Sequence, residues 1–306
     1  MKKVLILFVP LILLGMKTYA QQDPVFTYYM NNTLALNPAY AGSREALTLT
    51  ALHRSQWVGF DGAPVTQTFT MHAPVLNQHI GLGLSVLNDK IGPVNNTSAS
   101  IDYAFILKSG EKSKLSFGLK GSAYFLSTDL ASLYTNQTGD VAFENGRVSR
   151  TLPNVGFGMY YSRNKFYAGI SAPKLIENKV RLNNVSLHKF ARHYYLIAGK
   201  VFALSRWVDL KVTTLVKATP GAPIQGDLTA QITFSNAFMI GAGYRSGDAA
   251  SLQAGVFFTP QLLLAYAYDY SFGNQTLLYN SGSHEIMLRY DFIYKNHKKV
   301  RSPRYF

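Results

Sequence analysis

Seven histidines are the first residues to test for chemistry, because the chain has no cysteine to act as thiolate ligand, nucleophile or disulfide partner. They are scattered. The closest pair on one run, His188 and His193, is five residues apart, which puts the rings on opposite faces of a strand and gives no shared metal site. Ser283 and His284 offer a hydroxyl and a base, an acyl-transfer pair only if a distant acid folds against them. The stretch Thr135-Asn136-Gln137-Thr138-Gly139-Asp140, with Glu144 and Asn145, carries oxygen ligands without calcium spacing and reads as a polar loop. No phosphate-binding, dinucleotide-binding, zinc-protease or nucleophile-elbow pattern occurs. The sequence therefore predicts no enzyme, no catalytic residue, no cofactor and no metal. Basic residues lie among aromatics, but the aromatics follow strand period, so no nucleic-acid partner is expected.

The elements that carry these residues are strands. In the last regular stretch, His284 to Tyr294, the residues Ile286, Leu288, Tyr290, Phe292 and Tyr294 alternate with Glu285, Met287, Arg289, Asp291 and Ile293. A purely apolar and aromatic face opposite one with three charges needs lipid on one side and a watery lumen on the other. From Glu45 onward about fourteen such runs succeed one another, an even number suited to a closed antiparallel barrel. The runs over 206–217, 224–235 and 237–245 show the cleanest alternation. Links also alternate in length. Tight ones at 75–78, 109–112, 162–164, 203–205, 236 and 259–260 interleave with longer ones at 55–63, 88–95, 127–151, 173–189, 218–223, 246–248 and 271–283. That two-sided asymmetry predicts an all-β transmembrane barrel over 45–294, with short turns in the periplasm and long loops outside.

Composition agrees: 15% charged and 13% aromatic residues, with a mean hydropathy of only +0.01, fit neither a soluble enzyme nor a helical membrane protein. Residues 1–20, with Lys2 and Lys3 before an apolar run containing Pro10, read as a signal peptide for export, with cleavage after Ala20. Loss of Lys2, Lys3 and Lys17 lowers the formal charge from +14 to +11. Residues 21–44 have no sustained period and contain Pro24 and Pro38, which predicts an irregular periplasmic arm. Residues 295–306 are a basic tail expected on the same side. Charges assigned to the lumen nearly cancel: Lys120, Lys211, Lys217, Arg245 and Arg289 face Asp102, Asp209, Asp227, Asp269, Glu285 and Asp291. The basic surplus falls in turns and tail, where it would attract acidic periplasmic partners.

Four stretches carry a resemblance: QDPVFTYYMNNTLALNPAYAG (Gln22 to Gly42), RSQWVGFDGAPVTQTF (Arg54 to Phe69), GSHEIMLRYDF (Gly282 to Phe292) and SPRYF (Ser302 to Phe306). Together they resemble the PorP/SprF family of the type IX secretion system. The resemblance implies a non-catalytic outer-membrane component of secretion and gliding motility. Its partners would be periplasmic motor or cell-wall-linked components of that system, or a large secreted adhesin that it helps to export and display. Within that reading, Asn37, Pro38 and Tyr40 in the arm and Arg304, Tyr305 and Phe306 in the tail are the expected partner-binding residues, because aromatic groups beside a charge dominate interface energies. The competing view of these two stretches is that NPAYAG plugs the lumen and PRYF is an assembly signal; for the whole chain, a passive pore and a barrel lipase are the alternatives. The first needs an unobstructed lumen, and the second a hydroxyl nucleophile near the outer rim.

Overall fold

A computed structural model describes residues 23–109, 113–129, 147–182, 185–272 and 280–293. Its strands are β1 (Leu47–Ser55), β2 (Val65–Val75), β3 (Ile80–Ile91), β4 (Val94–Ser109), β5 (Ser113–Asp129), β6 (Arg147–Arg163), β7 (Phe166–Ala172), β8 (Asn178–Leu182), β9 (Val185–Phe190), β10 (Tyr194–Ala203), β11 (Val208–Ala218), β12 (Gln225–Phe234), β13 (Phe238–Arg245), β14 (Ala249–Phe257), β15 (Leu262–Ser271) and β16 (Ser283–Phe292). Fourteen of them form a closed antiparallel barrel in sequence order, and β8 and β9 make a separate hairpin between β7 and β10. Closure is made by β1 against β16, in register from Leu47 opposite Phe292 to Ser55 opposite His284. Closure satisfies backbone groups that would each cost several kcal/mol if left unpaired in hydrocarbon.

Alternation fixes which side chains point in. On β16, Ser283, Glu285, Met287, Arg289 and Asp291 are buried in the lumen, whereas Ile286 and Leu288 point outward at 50% and 46% exposure. The predicted register of the closing strand therefore holds from Glu285 to Phe292, and Tyr294 lies outside the described residues. At the tight turns Asn164 and Asn236 take left-handed φ of 51° and 52°, which asparagine tolerates at little cost.

Two expected links differ. The segment 173–189, read as a loop, contains the β8–β9 hairpin, and the strand expected to start at 190 starts at Tyr194. The hairpin is held by burial more than by its own period: Val180 and Phe190 pack on Tyr124 and Leu126, with the Tyr124 and Phe190 rings 5.3 Å apart. The link expected at 88–95 shrinks to Gly92-Pro93 because the polar residues before and after it continue the ladder. Asn88 Nδ2 donates to Asn95 Oδ1 at 2.7 Å and to Thr97 Oγ1 at 2.8 Å. The result is a tall wall at the long-link end: β4 to β6 run 16 or 17 residues, against 7 to 11 for the neighbouring β7, β10 and β11.

Candidate functional site, a lumen filled by the N-terminal segment

The segment from Asp23 to Arg44 lies inside the barrel. Tyr28, Tyr29, Met30, Leu34, Ala39 and Tyr40 are all at most 2% exposed, so the expectation of a periplasmic arm is corrected. The physical reason is that its Tyr, Asn and Thr residues supply both apolar bulk and hydrogen bonds, which a polar lumen can satisfy along its whole length. Locally, a short helix α1 (Thr33–Leu36) stops before Pro38, and a single 3-10 turn follows over Pro38–Tyr40. Asn37 caps that turn by accepting from the Ala39 N–H at 2.9 Å.

The barrel wall is cut back to receive this turn. A Cβ added at Gly118 would stand 2.1 Å from the Ala39 nitrogen, and one at Gly81 would stand 2.0 Å from the Ala41 carbonyl oxygen. Glycine here permits close backbone approach. Asn37 Nδ2 donates to the Met159 carbonyl at 2.9 Å, and the Tyr40 ring meets His72 and Tyr160 edge-on at 5.2 and 5.4 Å.

Three polar anchors hold the segment from end to end. At the short-turn mouth, Arg44 makes a bidentate pair with Asp291 at 2.9 and 3.1 Å, and the Asp291 carboxylate holds the guanidinium above its ordinary pKa against the opposing effect of burial. In mid-lumen, the Thr27 and Tyr28 N–H groups donate to Glu285 at 2.8 and 2.7 Å, and Thr27 Oγ1 donates to Asp269 at 2.7 Å. Arg54 pairs with both acids, at 2.8 Å from Asp269 and 3.1 Å from Glu285, and Arg245 stands 3.6 Å from Asp269. At the long-link mouth, the Asp23 carboxylate pairs with Lys174, and the Asp23 N–H donates to His193 Nε2 at 3.2 Å. Burial opposes ionisation of both Asp23 and Lys174, but each charge outweighs it for the other, so the carboxyl is lowered and the amine raised. His193 is held neutral: burial pushes its pKa down, and Lys174 adds to this against Asp23. The chain therefore runs with its N-terminal end toward the long links.

Of the charges assigned to the lumen, Lys120 meets Asp102 at 3.0 Å and Arg245 meets Asp227 at 2.7 Å. Asp209, by contrast, pairs with Lys165 at the rim, at 3.1 Å. Arg44 and Arg54 escaped the sequence reading. Arg54 was nonetheless legible, since it shares the inward parity of Leu52 on β1. Of the expected partner-binding residues, Asn37, Pro38 and Tyr40 are buried against the wall with no surface for another protein, while Arg304, Tyr305 and Phe306 lie outside the described residues. Ser283 and His284 do not combine: Ser283 Oγ faces inward and accepts from the Trp57 N–H, whereas His284 turns outward to the Tyr266 hydroxyl at 2.6 Å. No cluster of three metal-ligating side chains occurs among the described residues.

The fold is similar to a monoaromatic hydrocarbon channel, CymD, with a TM-score of 0.52 at 13% identity over 86% of this chain and 93% of that one. A FadL homologue of Pseudomonas aeruginosa (TM-score 0.44, 13% identity, 84% and 93% covered) and the NanC porin (TM-score 0.44, 9% identity, 81% and 100% covered) are also similar. At such identities the likeness is one of barrel architecture. No curated protein matches in sequence. The family model of the type IX secretion system membrane protein PorP/SprF matches residues 18–290, most of the chain, and the chain belongs to the PorP/SprF family.

Proposed function

We propose that this protein works in type IX secretion as a plugged outer-membrane scaffold whose part in secretion is contact with other components. The observation that carries this reading is the lumen filled by Asp23 to Arg44, anchored by ion pairs at both mouths and by hydrogen bonds to Asp269 and Glu285 in the middle. A passive pore needs an unobstructed lumen, so contacts with other components fall to the outside of the barrel. On the periplasmic side these are the short turns and the basic tail, where Arg304, Tyr305 and Phe306 meet motor or cell-wall-linked components. On the opposite side, the tall wall of β4 to β6 and the β8–β9 hairpin offer a surface to an exported adhesin. Residues 1–20 act as the signal for export to the outer membrane. Deleting Arg301 to Phe306 tests the periplasmic contact. The truncated chain should insert as a heat-modifiable barrel while secretion or adhesin display falls and crosslinks to periplasmic proteins disappear. A correctly inserted, fully active truncation removes the tail from the contact.

A further inference from the structure

Separate from the plugged lumen, the outward face of β1 and β2 brings three polar side chains together at the long-link rim. His53 and Ser55 are two residues apart on β1 and point the same way, and Gln67 stands directly opposite His53 on β2. His53 Nε2 is 3.1 Å from Ser55 Oγ, and His53 Nδ1 is 3.3 Å from the Gln67 side-chain amide. The two ends of a glutamine amide exchange by a flip, and Gln67 makes no other hydrogen bond among the described residues. With Oε1 toward the ring, Nδ1–H donates to Gln67 and Nε2 is left to accept from the Ser55 hydroxyl. That is the relation of nucleophile, base and orienting group found in serine hydrolases on unrelated folds.

The surroundings supply a substrate class. Ala51, next below His53 on the same face, stands between Phe69 on β2 and Leu288 on β16, and Ile286 stands opposite His53. Phe69, Ile286 and Leu288 are 41%, 50% and 46% exposed, an apolar wall with no protein against it among the described residues. An acyl chain lying along this wall would bring its carboxyl end to Ser55, where the apolar band gives way to polar residues. Lys90, exposed on β3 at the height of Val65 and Ser55, places a cation near the headgroup level.

We propose that His53, Ser55 and Gln67 form a lipid-facing hydrolase site for long-chain acyl esters of membrane lipids. Ser55 Oγ bonds to the acyl carbonyl carbon while His53 Nε2 takes the hydroxyl proton. The ester C–O bond breaks, and the leaving alcohol takes that proton from His53. Water then attacks the acyl-serine ester, its proton passing through His53 back to Ser55 Oγ, and the fatty acid is released. Gln67 is the positioning residue that fixes the ring and its tautomer.

The test uses the full-length barrel folded in detergent, with folding confirmed by heat modifiability. Hexadecylsulfonyl fluoride should modify Ser55, located by mass spectrometry. Hydrolysis of a long-chain phospholipid in mixed micelles should fall by about 10²-fold or more in Ser55→Ala and in His53→Ala, the range expected when a nucleophile or its base is lost. Gln67→Ala should lower the rate while leaving some labelling of Ser55, and Gln67→Asn should restore part of it. Failure of the folded wild-type protein to be labelled at Ser55 overturns the proposal. So does hydrolysis that persists unchanged in Ser55→Ala. Labelling is read on the wild-type chain, so the outcome does not depend on any variant folding, nor on the role of the tail or of the loops.

Discussion

Arg54 touches two carboxylates and the Thr27 hydroxyl, with Asp269 and Glu285 at 1% and 0% exposure. Arg54→Leu would leave Glu285 buried without its counter-charge and Asp269 with Arg245 alone, at 3.6 Å, and should cost about 3 to 5 kcal/mol. Leu288→Arg puts a charge on the lipid face and should cost about 2 to 4 kcal/mol near the bilayer midplane. Arg289→Leu should cost least, because its Nε lies 3.5 Å from Asp291 without hydrogen-bond geometry and Asp291 keeps its bidentate partner Arg44. Urea titrations in vesicles give the order, and Arg289→Leu as the costliest of the three would shift the β16 register by one. At the outer anchor the sign of pH dependence is set by two lowered pKa values. His193 Nε2 accepts from the Asp23 N–H, and protonation ends that bond. Its contribution is complete above about pH 6.5 and is lost as pH falls toward the lowered value; that of Asp23 is lost only at pH below about 3.9. Protection of Asp23 to Phe26 against hydrogen exchange, relative to the intrinsic rate at each pH, should therefore fall as pH drops below about 6.5 in the wild type and stay constant in His193→Gln. At this scale the inward acids and most of their partners were legible from strand parity. Their use as anchors was not, because it depends on a segment with no period of its own. His53 and Gln67 were equally hidden, since cross-strand register decides that they meet.

The N-terminal segment and the barrel wall are complementary elements. Strand existence was legible because each strand divides lipid from lumen, so every second residue carries the signal. Residues 21–44 carry no such signal, and their aromatic content fits a partner surface as well as a lumen. What distinguishes the two is the wall: Gly81 and Gly118 lie on inward parity, where a cut-back is useful only if another backbone approaches. Gly118→Val should therefore push the Pro38–Tyr40 turn away without breaking the β4–β5–β6 ladder. In a planar bilayer the wild-type protein should conduct little, and Gly118→Val should show larger or more frequent openings. Equal conductance from the two proteins would mean that the segment does not seal the lumen. The β8–β9 hairpin escaped the sequence reading for a different reason. Val180 and Phe190 are buried against Tyr124 and Leu126 of the tall wall, so their position reflects that contact and not lipid.

The whole molecule has a polarity that every functional assignment depends on. Short turns join β2 to β3, β6 to β7 and β12 to β13 at one end, while the 56–64 link, the hairpin and the tall wall lie at the other. Outer-membrane barrels keep short turns in the periplasm, an orientation that would place Asp23 at the outer mouth and Arg44 at the periplasmic one. β16 ends at Phe292 beside the start of β1 at Leu47, at the same end as Arg44. The absence of cysteine makes this orientation directly measurable. Single cysteines at Asp61 and Asn178 should react with a membrane-impermeant maleimide on intact cells, and one at Asn77, exposed on the β2–β3 turn, should react only after the outer membrane is opened. The reverse pattern would turn the barrel over. The tail and short turns would then face the medium, and the tall wall the periplasm. The periplasmic contact assigned to Arg304, Tyr305 and Phe306 would fail, and the His53–Ser55–Gln67 group would move to the inner leaflet.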